Sequence, residues 1–163
     1  MKKTFFALFG LTSLSTLLFF ACGGKSSPGF YNCSDTNPAN DSTALIGFAN
    51  ANGIGPLKDT IGLYYQIVGQ GTGTSPVLTS RISVTYKGTL LDGTVFDSTG
   101  TTPRSFTLDS LIPAWQMTLP RIQTGGRIKL LVPSAYGYGC VGAGTAVPPN
   151  TPVYFDITLL GVQ

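Results

Sequence analysis

The chain has 163 residues with 21 glycines and 11 prolines, and only 10% of its residues are charged. This length allows one domain with a sizeable core, and the composition suits a β-rich, loop-rich protein better than a helical bundle. The formal charge is +3. Without Lys2 and Lys3, which lie in a candidate export leader, eight Lys and Arg remain against seven Asp and the net charge is +1. The electrostatic footprint of a nucleic-acid-binding protein is therefore missing.

The first 21 residues have the pattern of a bacterial export signal. Lys2 and Lys3 precede an apolar run that is too short to span a membrane. The run ends in FFAC, which resembles a lipoprotein box with Ala21 at the cleavage position and Cys22 as the lipidated residue. Plain secretion, with Cys22 discarded or paired, is the alternative. We expect residues 1–21 to be a lipoprotein signal peptide and the protein to be lipid-anchored in the bacterial cell envelope, facing the periplasmic space, with the outer membrane favoured.

Residues 22–40 are small, polar and Pro-containing, as expected of a tether. Cys33 within this segment and Cys140 in a late loop are the two thiols beyond Cys22. Paired cysteines of exported proteins tend to be bridged. We therefore predict a Cys33–Cys140 disulfide, which on the chain-entropy model stabilises the fold by about 4 to 5 kcal/mol.

Residues 41–60 are predicted to form an N-terminal helical extension. Asp41 or Ser42 suits the N-cap, an apolar series follows, and Gly53 suits the end of the helix. The main domain is predicted to occupy residues 61–163. The short segment before the helix contains no further domain, so we expect a monomer.

From residue 61 the apolar residues recur every second position in four segments. They are Leu63, Tyr65 and Ile67; Ile82, Val84 and Tyr86; Ile128, Leu130 and Val132; and Val153, Phe155, Ile157 and Leu159. This alternation predicts four half-buried strands of an antiparallel sheet with one solvated face. A second helix of about two turns is predicted between Leu108 and Gly125, because Pro113 suits its first turn and Pro120 ends it. The predicted fold class is α+β, with an antiparallel sheet wrapped around one short helix.

Large apolar residues also occur where loops are expected, and strand burial explains them poorly. They include Phe96, Leu111, Ile112, Trp115, Tyr136, Tyr138 and Val147. We expect these side chains to converge on a pocket. Histidine is absent, which excludes Ser-His-Asp and Cys-His nucleophiles and Cys/His zinc sites. We expect no metal and no cofactor.

Four ordered motifs resemble the FK506-binding-protein (FKBP) type of peptidyl-prolyl cis-trans isomerase. They are VTYKGTLLDGTVFDST, FTLDSLIPAW, GGRIKLLVPSAYGYG and VPPNTPVYFDITLL, which lie between about Leu63 and Leu160. Each motif alone is weak, but all four in this order are specific. The family fold is an antiparallel sheet around a short helix, which agrees with the strand pattern.

The resemblance implies an apolar binding pocket and a role for each residue that matches a family position. Its implied catalytic residues are Phe96, Asp97, Tyr138 and Phe155. Its implied substrate-binding residues are Tyr86, Leu111, Ile112, Trp115 and Val147, with Trp115 as the floor and the Ile112 N–H meeting a ligand carbonyl. Asp97 would lie at the rim and engage Tyr138. Considered alone, Asp97 is better explained as the cap of its own turn.

Such a pocket catalyses rotation about X-Pro bonds without a titrating group, because a dry aromatic site favours the twisted amide over the planar one. The expected substrates are proline-containing peptides and unfolded exported proteins. The alternative is a weakly catalytic or non-catalytic peptide-binding lipoprotein on the same fold. A macrolide is a possible ligand, although Ser110 and Ala114 depart from the family pattern and Arg104 is the cation nearest to Asp97.

Overall fold

The computed structural model describes residues 37–55, the backbone of 57–58, and 61–163. The helices are α1 (Ser42–Ala51) and α2 (Pro113–Thr118). The strands are β1 (Leu57–Lys58), β2 (Tyr64–Gly69), β3 (Arg81–Leu90), β4 (Val95–Ser98), β5 (Arg104–Thr107), β6 (Arg127–Val132) and β7 (Val153–Val162). Short 3-10 turns lie at Pro38–Asp41, Leu108–Ser110, Leu119–Arg121 and Ser134–Tyr136. Within these described ranges, no helix has the length and apolar character needed to cross a membrane.

The strands form one antiparallel sheet in the order β1-β2-β6-β7-β3-β4. The long strand β3 pairs with β7 along one edge. Along its other edge it pairs with β5 through residues 81–84 and with β4 through residues 87–89. The predicted α+β architecture is confirmed, but the sheet has three more strands than the four predicted.

The predicted alternation places the core on the inner face of this sheet. The inner side chains of β3, β6 and β7 are buried, including Ile82, Ile128 and Ile157. The additional strands are short: β1 has two residues, and β4 and β5 have four each. Two residues cannot display a period of two, and neither four-residue strand alternates, because VFDS has two adjacent apolar residues and RSFT has only one.

Helix α2 lies against the inner face and is confirmed as short. Pro113 stands in its first turn, where a missing N–H costs nothing. Ala114, Trp115 and Thr118 are its buried residues. Because Pro120 cannot continue the α-helix, the chain passes at Leu119 into a 3-10 turn.

The outer face of the sheet is only partly solvated, because α1 packs on one end of it. Leu45 and Ala49 of α1 are buried with Tyr64 and Leu131, which point to this face. The sequence pattern predicted a wet face here, and that prediction is wrong at these positions. The apolar residues of α1 cover outward residues of β2 and β6, so the molecule has a second, smaller core.

The N-terminus of α1 agrees with the prediction in position but not in contacts. Asp41 is the N-cap residue, yet its carboxylate makes no capping bond to α1 and instead accepts hydrogen bonds from Ser134. Gly53 follows the helix with φ of 60°, a left-handed conformation that glycine adopts at low cost.

Candidate functional site

A cavity of about 220 Å³ opens between the inner face of the sheet, α2 and the loop before α2. Its lining residues are Tyr86, Asp97, Phe106, Ser110, Leu111, Ile112, Trp115, Tyr138 and Phe155. Seven residues singled out from the sequence therefore surround one space. Among the described residues, the lining is mostly aromatic and aliphatic, and Asp97 is its one carboxylate.

A β-bulge explains why Phe96 and Asp97, which are adjacent, both point towards this side of the sheet. Asp97 pairs with Gly88, but Thr89 pairs with Val95, so Phe96 is an extra residue in β4. Such a bulge interrupts the alternation of side chains. It places the Asp97 carboxylate at the cavity and the Phe96 ring behind it, against Phe155 and Tyr138.

Aromatic rings in edge-to-face contact form the floor and the walls. Trp115 meets Phe155 at a centroid distance of 5.3 Å and Tyr86 at 5.1 Å, with interplanar angles of 84° and 85°. Phe155 also meets Phe96 at 5.5 Å. These arrangements suit the ring quadrupoles. Trp115 is 3% exposed and Phe155 is 2% exposed, so the floor is held by the core.

Asp97 belongs to a hydrogen-bond network at the cavity rim. The Tyr86 hydroxyl donates to its Oδ2 at 2.5 Å, and Nη1 of Arg104 lies 3.4 Å from its Oδ1. Among the described residues, Asp97 makes no hydrogen bond to Tyr138, the partner that the sequence analysis expected. Arg104 does reach the carboxylate, although both side chains are about half exposed, which makes the ion pair weak.

The tyrosines at the site are held in their neutral form. Burial, and then the hydrogen bond to Asp97, raise the pKa of Tyr86 to about 12. Burial also raises the pKa of Tyr138, and the nearby negative charge of Asp97 adds to the effect. Both hydroxyls therefore keep their protons at neutral pH and can act as hydrogen-bond donors.

The segment before α2 is fixed by the side chain of Gln116, whose contribution the sequence analysis missed. Its Nε2 donates to the carbonyl of Leu111 at 2.6 Å and to that of Asp109 at 3.0 Å. The backbone N–H of Ile112 has no acceptor within the described ranges. It is available at the entrance of α2, where Ile112 lines the cavity.

Two further predicted site residues lie apart from the cavity lining, and two lining residues were not predicted. Val147 is fully buried and bridges to Ala143 in the loop that follows β6, so it supports this loop from the core. Phe96 touches lining residues from behind. Phe106 and Ser110 line the cavity; Phe106 faces inward from β5, a strand too short for its pattern to be read.

Three predicted features involve residues outside the described part of the chain. These are the signal peptide of residues 1–21, the lipidated Cys22, and Cys33 as the partner of Cys140. Cys140 itself lies half-buried in the loop after β6, and its pairing stays a prediction. The described residues contain no group of three His, Cys, Asp or Glu that could hold a metal ion.

Comparison with known proteins gives a consistent family. Residues 73–160 match the family model described as FKBP-type peptidyl-prolyl cis-trans isomerase. Escherichia coli FkpA, an FKBP-type peptidyl-prolyl cis-trans isomerase, is 42% identical over 118 residues, which are 71% of this chain and 43% of that protein. The outer membrane protein MIP of Legionella longbeachae is 34% identical over 141 residues, 85% of this chain and 60% of MIP.

Solved structures agree with these sequence relationships. The crystal structure of Escherichia coli FkpA matches with a TM-score of 0.69 and 40% identity, covering 78% of this chain and 59% of that one. A peptidyl-prolyl cis-trans isomerase of Pseudomonas syringae matches with a TM-score of 0.65 and 33% identity, covering 80% of this chain and 98% of that one.

The sequence match covers less than half the length of FkpA. The matched residues include β3 to β6 and most of β7, together with every residue that lines the cavity. The chain therefore belongs to the FKBP-type peptidyl-prolyl cis-trans isomerase family.

Proposed function

We propose that this protein is a peptidyl-prolyl cis-trans isomerase that acts on X-Pro bonds of exported proteins. The observation that carries the proposal is the apolar cavity of about 220 Å³, floored by Trp115 and walled by Tyr86 and Phe155. A pocket of this kind accepts a prolyl ring and excludes water from the adjacent amide. Family membership supports the same activity.

The chemistry requires no covalent step. Rotation about the X-Pro bond has a barrier of about 18 to 20 kcal/mol because amide resonance is lost. The twisted amide is less polar at its carbonyl than the planar one, so a site that removes water favours the transition state. A barrier lowered by about 5 to 7 kcal/mol corresponds to an acceleration of about 10⁴- to 10⁵-fold.

Each polar group at the cavity has a distinct role in this proposal. The Ile112 N–H lacks an acceptor within the described ranges. It would donate a hydrogen bond to a backbone carbonyl of the bound peptide near the proline. The Tyr138 hydroxyl would donate a second hydrogen bond. Asp97, held by Tyr86, would set the electrostatic potential at the rim without exchanging protons.

A protease-free isomerisation assay on the purified full chain, with a Leu-Pro or Phe-Pro peptide, tests the proposal. We expect clear acceleration by the wild type and a loss of about tenfold or more in kcat/KM for Asp97→Ala. Asp92→Ala is the matched control, because Asp92 is exposed in the turn between β3 and β4 and, within the described part of the chain, its carboxylate bonds only Thr94 of that turn. It should leave kcat/KM unchanged.

Asp97→Ala also leaves the Tyr86 hydroxyl without its acceptor, which costs about 1 to 3 kcal/mol of stability. The double variant Asp97→Ala/Tyr86→Phe removes that penalty and should fold as well as the wild type while remaining slow. Absence of acceleration by the wild type, together with peptide binding, would refute the proposal and identify a peptide-binding module.

The location and covalent features are part of the same proposal. One relative is named an outer membrane protein, which supports an envelope location. We propose a lipid anchor on Cys22, a Cys33–Cys140 disulfide and a monomeric domain that can take a macrolide as a ligand. Mass spectrometry of the mature N-terminus tests the anchor, and peptide maps with and without reductant test the disulfide.

A further inference from the structure

The N-terminal segment, whose described part is residues 37–55, contacts the loop that carries Tyr138 through the carboxylate of Asp41. Oδ2 of Asp41 accepts a hydrogen bond from the backbone N–H of Ser134 at 2.6 Å and another from its hydroxyl at 2.7 Å. The two residues are 93 positions apart, and the contact is partly buried. Because hydrogen bonds to an ionised carboxylate are among the stronger ones, this contact fixes Ser134 relative to α1.

Ser134 in turn organises the backbone that leads to Tyr138. Its carbonyl accepts hydrogen bonds from the N–H groups of Gly137 at 3.0 Å and Gly139 at 2.8 Å. These two glycines flank Tyr138 directly. A shift of Ser134 is therefore transmitted to the position of the Tyr138 ring at the cavity, where it packs on Phe96 at 5.8 Å.

A second contact holds the same loop. The Tyr136 hydroxyl donates to the carbonyl of Ile61 at 3.1 Å, in the chain that follows the N-terminal segment. Gly139 has φ of 59°, and the loop after it contains little regular structure. Such a loop depends on contacts of this kind for its order.

We propose that Asp41 is a positioning residue for the active-site loop, so that the N-terminal segment sets the geometry of Tyr138 in the isomerase site. The effect on catalysis rests on the proposed function, whereas the effect on the loop does not. The segment before the catalytic domain would then be part of the working site and not only a spacer.

Amide hydrogen exchange in the purified full chain tests the structural half of this proposal. In Asp41→Ala, exchange of the Gly137 and Gly139 amides should rise about tenfold or more, while β6 and β7 keep their protection. Asp41→Asn keeps an acceptor oxygen and should restore most of the protection. Asp92→Ala, the same substitution in an exposed turn, should change neither region.

The catalytic half uses the same variants with the Leu-Pro or Phe-Pro peptide. We expect kcat/KM to fall about five- to tenfold in Asp41→Ala, to recover in Asp41→Asn and to stay at the wild-type value in Asp92→Ala. Ser134→Ala added to Asp41→Ala should have little further effect, because both substitutions break the same contact.

Unchanged exchange at Gly137 and Gly139 in Asp41→Ala would overturn the proposal, and so would raised exchange with unchanged kcat/KM. Unfolding of Asp41→Ala as a whole would appear as lost protection in β6 and β7, and Ser134→Ala, which removes the hydroxyl half of the same contact, would then replace it in both measurements. If the wild type does not accelerate the peptide, the proposed function fails separately. Peptide affinity, read from Trp115 fluorescence, would then replace kcat/KM as the readout.

Discussion

Gly88 in β3 lies where the two phenylalanine rings of the site approach the backbone most closely. A Cβ atom at this position would come within 2.7 Å of Cζ of Phe96 and 2.8 Å of Cε1 of Phe155. Ordinary contacts between carbon atoms are about 3.5 to 4.0 Å. In Gly88→Ala the rings must therefore move by close to 1 Å, and Phe155 has little room because it is 2% exposed.

Two opposing effects determine the stability of Gly88→Ala. Replacing a strand glycine with alanine reduces the entropy of the unfolded chain and stabilises by about 0.4 to 1 kcal/mol. Overpacking against two rings costs about 1 to 3 kcal/mol. We expect a net loss of about 1 to 2 kcal/mol, together with a displaced Phe96 and a fall in kcat/KM.

The matched control is Gly161→Ala in β7, where the added Cβ would lie 3.6 Å from Cβ of Ser83, an ordinary contact. It should be neutral or slightly stabilising in urea unfolding. In a Phe96→Leu background the cost of Gly88→Ala should shrink, because one of the two clashes is relieved. Equal stability of Gly88→Ala and Gly161→Ala would refute this account of the packing at the site.

Phe155→Ala should cost about 3 to 5 kcal/mol in urea unfolding and abolish isomerisation, since the ring is both core and cavity wall; a small stability change would contradict its burial. Trp115→Ala should reduce turnover strongly while unfolding stays cooperative, and unchanged turnover would show that the cavity is not the site. The folded pKa of Tyr86, about 12, exceeds the unfolded value of about 10, so its contribution to stability is complete below pH 10 and lost as pH rises towards 12. Tyr86→Phe should weaken this alkaline loss in melts between pH 9 and 12, and an unaltered loss would refute the assignment.

Strand β7 could be predicted from the sequence because its buried residues alternate along most of its length. Val153, Phe155 and Ile157 show the pattern clearly, and all three are buried. The pattern fails in β4, where the bulge at Phe96 places adjacent residues on one side. It also fails at Leu131, whose burial depends on α1, a contact between distant parts of the chain.

The residues of the site were predicted from the family resemblance more than from physical pattern. Loop aromatics such as Trp115 and Tyr138 indicated a pocket, but their mutual contacts are long-range. The partner of Asp97 proved to be Tyr86, since an inward residue of β3 lies beside the bulge. The contact of Asp41 with Ser134 could not be predicted, because N-cap residues normally bond their own helix.

The packing of α1 on the outer face has a practical consequence for shortened versions of the protein. A chain that begins at residue 61 would retain every cavity-lining residue but would lose the cover over Tyr64 and Leu131. An apolar patch on a sheet favours self-association. Such a fragment should precipitate or dimerise more readily than the longer chain. Its oligomeric state and solubility would then reflect the newly exposed apolar surface and not the properties of the native domain.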